Sequence, residues 1–193
     1  MRRNIAMLVI LVLGLIGFAS PDVRNTVADV IPWEILGTTD PNRPLAPRIV
    51  GPIKEGIWTV VHVVDGDTID VGDSAGRYRI RLIGADTPEI VKPNTPPEPF
   101  GPEASEFTKR MIDQANKQVR LAFDGDQVDR FGRNLAMVHL QMPDGTEVWL
   151  NELLIREGLA TAELGYRFSR GAKDAFRAAE NAAKAERKNI WSQ

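Results

Sequence analysis

Short segments rich in β-branched residues follow one another closely between residues 57 and 82, and turn sequences separate them. Residues 57–64 read as a strand, and Asp65-Gly66 interrupts it as a bend or bulge before residues 68–71 resume it. Residues 73–76, with the sequence Asp-Ser-Ala-Gly, are typical of a turn. This part of the chain therefore predicts short strands joined by tight connections.

The segment after this turn alternates charged and apolar residues, with Arg77, Arg79 and Arg81 placed between Tyr78, Ile80 and Leu82. In a strand, successive side chains point to opposite faces, so the arginines share one face and the apolar residues share the other. We therefore expect Arg81 to point away from the hydrophobic core, as a residue that binds substrate must.

Further strands and helices are indicated downstream of a proline-rich loop at residues 90–101. The expected strands cover residues 119–123 and 134–141, and Pro143-Asp144-Gly145 closes a hairpin to residues 147–149. The first expected helix begins at Pro102 and turns Ala104, Phe107, Met111 and Ala115 inward. The second begins at Asn151 and is ended by Gly158. The third begins at Gly171 and ends near Lys188. Five short strands with helices between and after them indicate a small α+β barrel.

The N-terminus has a different character from the rest of the chain. Two arginines precede an uncharged apolar run at residues 5–19, and Gly17 and Ala19 are small enough for a cleavage site. Residues 1–20 therefore predict a secretory signal peptide or, alternatively, a membrane anchor through residues 5–19. Residues 21–55 read as a spacer and proline-containing linker, and residues 56–193 as the folded domain. We expect a protein that is secreted or anchored to the outer face of the cytoplasmic membrane.

The composition limits the chemistry that the chain can perform. It has no cysteine, which excludes disulfides, thiolate metal sites and cysteine nucleophiles. Its hydrophobic content of 43% is ordinary for a globular protein with its own core. The net charge of −2 gives the chain no overall excess of positive charge, so we expect any binding of nucleic acid to be weak and sensitive to salt.

Acidic clusters and arginines carry the strongest functional signal. Asp65-Gly66-Asp67-Thr68 and Asp86-Thr87-Pro88-Glu89 lie on either side of Arg81, and Asp129-Arg130-Phe131-Gly132-Arg133 follows. Carboxylates bind hard divalent cations, and the planar fork of arginine matches phosphate oxygens. An EF-hand is excluded because Asp70 and Gly76 stand where its loop needs glycine and glutamate. The pattern indicates a metal-dependent site for phosphodiester cleavage.

These motifs, in this order and spacing, resemble those of the staphylococcal nuclease (thermonuclease) family over roughly residues 57 to 192. The further matching pieces are Gly101-Pro102-Glu103-Ala104-Ser105, Asn151-Glu152, Gly158-Leu159-Ala160 and Asn189-Ile190-Trp191-Ser192. The resemblance implies an α+β fold: a five-stranded OB-fold β-barrel with three α-helices, here preceded by an N-terminal hydrophobic helix and a linker.

The resemblance also implies a role for each site residue. Asp67, Asp86 and the backbone oxygen of Thr87 would bind Ca²⁺ directly, and Asp65 would bind it through water. Glu89 would be the general base, and Arg81 and Arg133 would stabilise the transition state. Tyr166 and Phe131 would contact the substrate, but Phe131 stands where the staphylococcal enzyme has a tyrosine, and Leu164 replaces another tyrosine.

The resemblance implies a Ca²⁺-dependent nuclease that hydrolyses DNA and RNA to 3′-phosphate ends, acting as a monomer. One alternative is a non-catalytic OB-fold module at the cell envelope that binds nucleic acid. Another is an interaction domain at the envelope. Retention of Glu89, Arg81 and Arg133 favours the enzyme over both alternatives.

Overall fold

The computed structural model of the chain describes residues 44–90 and 95–192. The predicted signal or anchor at residues 1–20 lies outside the described residues, as does the predicted spacer up to residue 43. A compact unit begins at Leu45, whereas the sequence placed the start of the domain at residue 56. Within the described ranges, no helix has both the length and the apolar character needed to cross a membrane.

The described residues form eight strands: β1 (Gly56–Asp65), β2 (Thr68–Gly72), β3 (Arg77–Leu82), β4 (Ala85–Asp86), β5 (Gln118–Ala122), β6 (Asn134–Gln141), β7 (Glu147–Trp149) and β8 (Thr161–Ala162). The first three follow the β-branched and alternating segments of the sequence. β6 and β7 form the hairpin that Pro143-Asp144-Gly145 predicted.

β1 belongs to both sides of a closed barrel. Its first four residues, 56–59, pair with β5, and its register shifts between Val60 and His62 as the strand continues along β2. β3 pairs antiparallel with β2 and parallel with β6, with Ile80 opposite Asn134. β5 pairs with β6, which completes the ring. Among the described residues this is a five-stranded barrel with three α-helices, and it confirms the predicted α+β OB-fold.

The segment before β1 is part of the barrel wall. The backbone N–H of Ile49 donates to the carbonyl of Arg77 at 2.8 Å, and that of Arg77 donates to Pro47 at 3.0 Å. The Arg77 side chain adds a bond from Nε to the Ala46 carbonyl at 2.9 Å, and Ile53 is buried. β6 pairs with β3 only from Ile80 onward, and these contacts cover the start of the same edge at Arg77, which is why the compact unit starts before β1.

The α-helices of the described chain are α1 (Gly101–Gln114), α2 (Leu150–Arg156) and α3 (Arg170–Ala185), followed by a 3₁₀ turn at Asn189–Trp191. α3 ends before the predicted Lys188 because Arg187 and Asn189 take positive φ values of 50° and 40°, which reverses the chain. On α1, Thr108 and Ile112 are buried with Ala104, whereas the predicted Phe107 and Met111 are only partly buried.

The core lies inside the barrel and continues beneath α2 and α3. Ile69 and Ile80 are fully buried inside the barrel, and Leu154 and Phe176 are fully buried on α2 and α3. α3 also begins as the sequence requires, since the hydroxyl of Ser169 accepts a hydrogen bond from the backbone of Ala172 at 3.3 Å. This packing leaves the β1–β2 turn, β4 and the loop after it on one side of the barrel, where the acidic motifs meet.

Candidate active site

The turn between β1 and β2 is pressed against α1 and against the loop that follows β4. A side chain at Gly66 would lie 2.8 Å from both Ala104 and Thr87, so only glycine fits there. The buried hydroxyl of Thr108 donates to the Gly66 carbonyl at 2.5 Å. These contacts bring the Asp65-Gly66-Asp67 motif against the Asp86-Thr87-Pro88-Glu89 motif.

Asp67 is the most deeply buried carboxylate of the predicted metal ligands, with 1% of its surface exposed. Its Oδ2 accepts bonds from the backbone N–H of Thr87 at 2.8 Å and from the Thr87 hydroxyl at 2.9 Å. Its Oδ1 accepts a bond from the Thr68 hydroxyl at 2.9 Å and forms an ion pair with Arg81. Four donors therefore fix this carboxylate in a single orientation.

Arg81 lies at the centre of three carboxylates. It pairs with Asp67 through Nη1, with Asp86 through Nη2 at 2.5 Å, and with Glu163 through Nη2 at 3.8 Å. Its side chain shares a face with those of Arg77 and Arg79, as the alternation predicted, but only 8% of the residue is exposed because these acids cover it. Its Nε is buried and has no hydrogen-bond partner among the described residues. Arg81 thus retains a donor that a phosphate oxygen could accept from.

Asp86 belongs to β4, a two-residue strand that pairs with β8 so that Asp86 lies opposite Thr161. The Asp86 side chain is 56% exposed, in contrast to the buried Asp67. Arg81 therefore holds both carboxylates, Asp67 on its buried side and Asp86 on its solvent-exposed side.

Asp65 and Glu89 form a second acidic pair in the site. Asp65 is 5% exposed, and its Oδ1 accepts a bond from the Gly66 backbone at 2.8 Å. Burial, a hydrogen bond with Glu89 and the charges of Asp67 and Glu89 raise the pKa of Asp65 to about 7, although the Gly66 bond opposes the shift. Two carboxyl groups that share a proton indicate negative charge in excess of what the surrounding residues balance.

The chemistry of these donors fits a hard divalent cation, because carboxylate oxygens crowd together with more negative charge than Arg81 neutralises. Within the described part of the chain, no three histidine, aspartate or glutamate side chains are arranged as a ready metal cage. Arg81 forms ion pairs with both Asp67 and Asp86. Asp67 and Asp86 are the carboxylates that would hold such a cation.

Arg133 is positioned by a compact turn around Asp129. Asp129 Oδ1 accepts backbone bonds from Phe131 at 2.8 Å and Arg133 at 2.9 Å, and Oδ2 accepts from Arg133 Nε at 2.5 Å. Burial opposes ionisation of Asp129, but these bonds outweigh it and hold its pKa below the ordinary value. Phe131 is 67% exposed, with the guanidinium groups of Arg130 and Arg133 at 4.7 and 5.5 Å from its ring centre.

Tyr166 and Glu163 border the site from the segment around β8. Burial and the charge of Glu163 raise the pKa of the half-buried Tyr166, while Arg81 and Arg133 act in the opposite direction. Both arginines also act on Glu163, so the two groups share one electrostatic neighbourhood with Tyr166. Asp129 and Glu163 were not among the predicted site residues. Asp129 could have been recognised because it stands four residues before Arg133, but no motif marks Glu163.

Other acidic and histidine residues serve the fold. Asp124 and Asp126 lie in a loop and accept backbone bonds from Ser169 and Arg167 at 3.1 and 2.8 Å. His139 lies 3.0 Å from Glu147, and burial lowers its pKa. Neither group belongs to the cluster around Arg81.

A family model and several similar proteins all point to the same family. The model of the family described as staphylococcal nuclease homologue matches residues 79–193. A thermonuclease of Staphylococcus hyicus is 46% identical over 139 residues, covering 72% of this chain and 78% of the relative. A thermonuclease of Staphylococcus intermedius is 41% identical over 136 residues, covering 70% and 76%. Endonuclease YncB of Bacillus subtilis is 38% identical, covering 70% of this chain and 61% of the relative. With this barrel, these motifs and these relatives, the chain belongs to the staphylococcal nuclease homologue family.

Proposed function

We propose that this protein is a Ca²⁺-dependent nuclease that hydrolyses DNA and RNA to 3′-phosphate ends. The observation that carries the proposal is the buried Arg81, which is surrounded by carboxylates yet keeps an unpartnered Nε donor. Relatives that are named thermonucleases and an endonuclease support the reaction class.

Arg81 and Arg133 would hold the scissile phosphodiester from two sides. Arg133 is half-buried and anchored by Asp129, which limits the orientations that its guanidinium can take. Each arginine binds the diester and binds the transition state more strongly as negative charge builds on the phosphoryl oxygens. The planar guanidinium can do this at any working pH because it does not lose its proton.

Glu89 would orient and deprotonate the attacking water. It is half-buried in the loop after β4, and its backbone N–H donates to Glu98 at 3.1 Å, which helps to fix the loop. The water adds to phosphorus and its proton passes to Glu89. The bond from phosphorus to the 5′ oxygen breaks, and that oxygen takes up a proton from solvent water. The products are a 3′-phosphate end and a 5′-hydroxyl end. Asp65, hydrogen-bonded to Glu89, would hold this carboxylate in place.

Asp67, Asp86 and the backbone oxygen of Thr87 would hold Ca²⁺, with Asp65 acting through water. The chemistry that Ca²⁺ supplies when bound is neutralisation of charge on the phosphoryl oxygens. Asp67 and Asp86 also form ion pairs with Arg81, so the carboxylates that would hold the metal contact the arginine that would hold the phosphate.

The test is to incubate the purified full chain with single-stranded DNA and, separately, with RNA, in Ca²⁺, in Mg²⁺ and in a chelator. Cleavage in Ca²⁺ with 3′-phosphate ends, weak cleavage in Mg²⁺ and none in chelator are expected, since Mg²⁺ demands tighter octahedral geometry. Equal turnover in chelator would overturn the metal requirement. Binding without cleavage would favour the alternative of a non-catalytic nucleic-acid-binding module.

The proposed domain organisation places this activity outside the cell. Residues 1–20 would direct export or anchor the chain through residues 5–19, residues 21–55 would act as a spacer, and residues 56–193 would form a monomeric catalytic domain. Fractionation of cells that express the full chain tests this proposal. Activity confined to the cytoplasm would contradict it, and membrane-bound or secreted activity would distinguish an anchor from a cleaved signal.

A further inference from the structure

Glu163 is an acidic residue beside the proposed phosphate site that none of the sequence motifs explains. Its Oε2 lies 3.8 Å from Arg81 Nη2, and its side chain is 41% exposed. The charge of Arg133 also acts on it. A phosphate bound between the two arginines would therefore lie close to this carboxylate.

The backbone, not the side chain, holds Glu163 in this position. β8 pairs with β4, and the backbone N–H of Glu163 continues the pairing by donating to the Gly84 carbonyl at 3.0 Å. Replacement of the side chain leaves this bond in place. A variant at this position therefore tests the charge of Glu163 rather than the integrity of the fold.

The charge of Glu163 is less compensated than that of the neighbouring acids. Asp67 and Asp86 accept hydrogen bonds, from Thr87 and Arg81 respectively, whereas Glu163 accepts none in the ranges that the structure describes. Glu163 Oε2 and Arg81 Nη2 are 3.8 Å apart, so the two side chains form an ion pair but not a hydrogen bond. Its negative charge is therefore available to repel an anion that binds to Arg81.

We propose that Glu163 is a specificity-determining residue that makes the site of Arg81 and Arg133 favour a singly charged phosphodiester over a doubly charged terminal phosphate. The inference rests on the function proposed above. It assigns to Glu163 selection among phosphate ligands, separate from the chemical step.

Electrostatic repulsion grows in proportion to the charge of the ligand. A phosphodiester carries one negative charge, whereas a terminal phosphate carries nearly two above its second pKa of about 6. If removal of the Glu163 charge tightens binding of a diester about threefold, it should tighten binding of a terminal phosphate by about the square of that factor, or about tenfold. The same repulsion would speed release of the 3′-phosphate product, which carries the extra charge.

The experiment compares Glu163→Gln with the parent full chain by calorimetric titration in Ca²⁺. The two probes are thymidine 5′-phosphate and its methyl ester, which share the nucleoside and differ in charge. Because burial and the charge of Asp86 raise the pKa of Glu163, the titrations are made at an alkaline pH that keeps the group ionised. Glu186→Gln is the matched control, since Glu186 pairs with Arg156 instead of with a site arginine.

The expected result is that Glu163→Gln tightens binding of the terminal phosphate about tenfold and of the methyl ester about threefold, while Glu186→Gln changes neither. Glu163→Ala, measured in the same way, should give the same order of effects. Equal factors for the two probes, or no change, would overturn the role of Glu163 even if the parent cleaves DNA. A parent that neither binds these probes nor cleaves DNA would instead refute the proposed function itself, and this inference with it.

Discussion

Thr87 donates two hydrogen bonds to one oxygen of Asp67, from its backbone N–H at 2.8 Å and from its hydroxyl at 2.9 Å. The two residues come from different motifs, and both are buried. Their contact joins the β1–β2 turn to the loop after β4. The proposed ligands are thus held together by the fold itself.

Thr87→Val should destabilise the metal-free protein because it removes the hydroxyl bond to Asp67 while keeping the shape of the side chain. A hydrogen bond to a charged group contributes about 1.5–3 kcal/mol. We expect a loss of about 2 kcal/mol in the free energy of unfolding, measured with urea. Thr146→Val is the control, since its exposed hydroxyl bonds Asp144 at 2.7 Å. Equal small losses in both variants would show that the Asp67 contact contributes little.

Asp65→Asn should stabilise the metal-free protein at neutral and alkaline pH. Folding raises the pKa of Asp65 from 3.8 to about 7, so the folded protein binds this proton more tightly than the unfolded chain does. The free energy of unfolding therefore falls as the pH rises through this window, and asparagine removes that loss. Urea unfolding in chelator should show a gain of about 2 kcal/mol at about pH 8 and almost none at about pH 4.

Asp126→Asn is the matched control for Asp65→Asn, with the opposite sign. Backbone and side-chain bonds from Arg167 lower the pKa of Asp126, so its ionised form stabilises the fold above the unfolded pKa. Asparagine at position 126 should therefore destabilise the protein at neutral pH. A destabilising effect of Asp65→Asn under the same conditions would contradict the account of a crowded acidic pair.

Asp86→Asn should weaken Ca²⁺ binding. It should not unfold the protein, because the Asp86 side chain is 56% exposed. Ca²⁺ at 100 times its dissociation constant should stabilise the parent by about 2.7 kcal/mol, and Mg²⁺ should stabilise it less. Calorimetric titration should give at least about a tenfold rise in the dissociation constant for Asp86→Asn. Asp174→Asn, an exposed acid paired with Arg177, should bind Ca²⁺ like the parent. Unchanged affinity in Asp86→Asn would remove Asp86 from the metal site.

Phe131→Tyr should tighten binding of a nucleoside 3′,5′-bisphosphate in Ca²⁺. Phe131 is 67% exposed beside Arg130 and Arg133, so an added hydroxyl would be accessible to a phosphate held there. One hydrogen bond to a charged group sets the limit, about 1.5–3 kcal/mol at best. Calorimetric titration of both proteins decides the matter. If the variant binds no better than the parent, position 131 does not face the nucleotide.

Local sequence signals predicted the barrel strands well, because alternation and turn residues act over a few positions. The arginines of β3 share a face as predicted, but the alternation did not reveal that Arg81 is buried on that face. Its cover comes from Asp86 and Glu163, and periodicity within β3 carries no information about those residues. Periodicity within β3 is equally silent about the segment before β1, where Arg77 forms backbone hydrogen bonds with Pro47 and Ile49.

Long-range pairing decides the parts of the site that the sequence did not reveal. Glu163 lies in a segment without any motif and reaches Arg81 only because β8 pairs with β4. Thr108 reads as an unremarkable helix residue, but it donates to Gly66, a position 42 residues away. Contacts of this kind depend on the closed fold, whereas the acidic motifs are recognisable by residue type and spacing alone.

The turnover number of Glu89→Gln on single-stranded DNA in saturating Ca²⁺ tests the central claim most directly. Glutamine keeps the size and polarity of the side chain but cannot accept the proton of the attacking water. General-base help is worth about 10²–10⁴-fold, so we predict a loss of that size, with similarly severe losses in Arg81→Ala and Arg133→Ala and a preserved fold. Near-normal turnover in a folded Glu89→Gln protein would contradict the proposed mechanism.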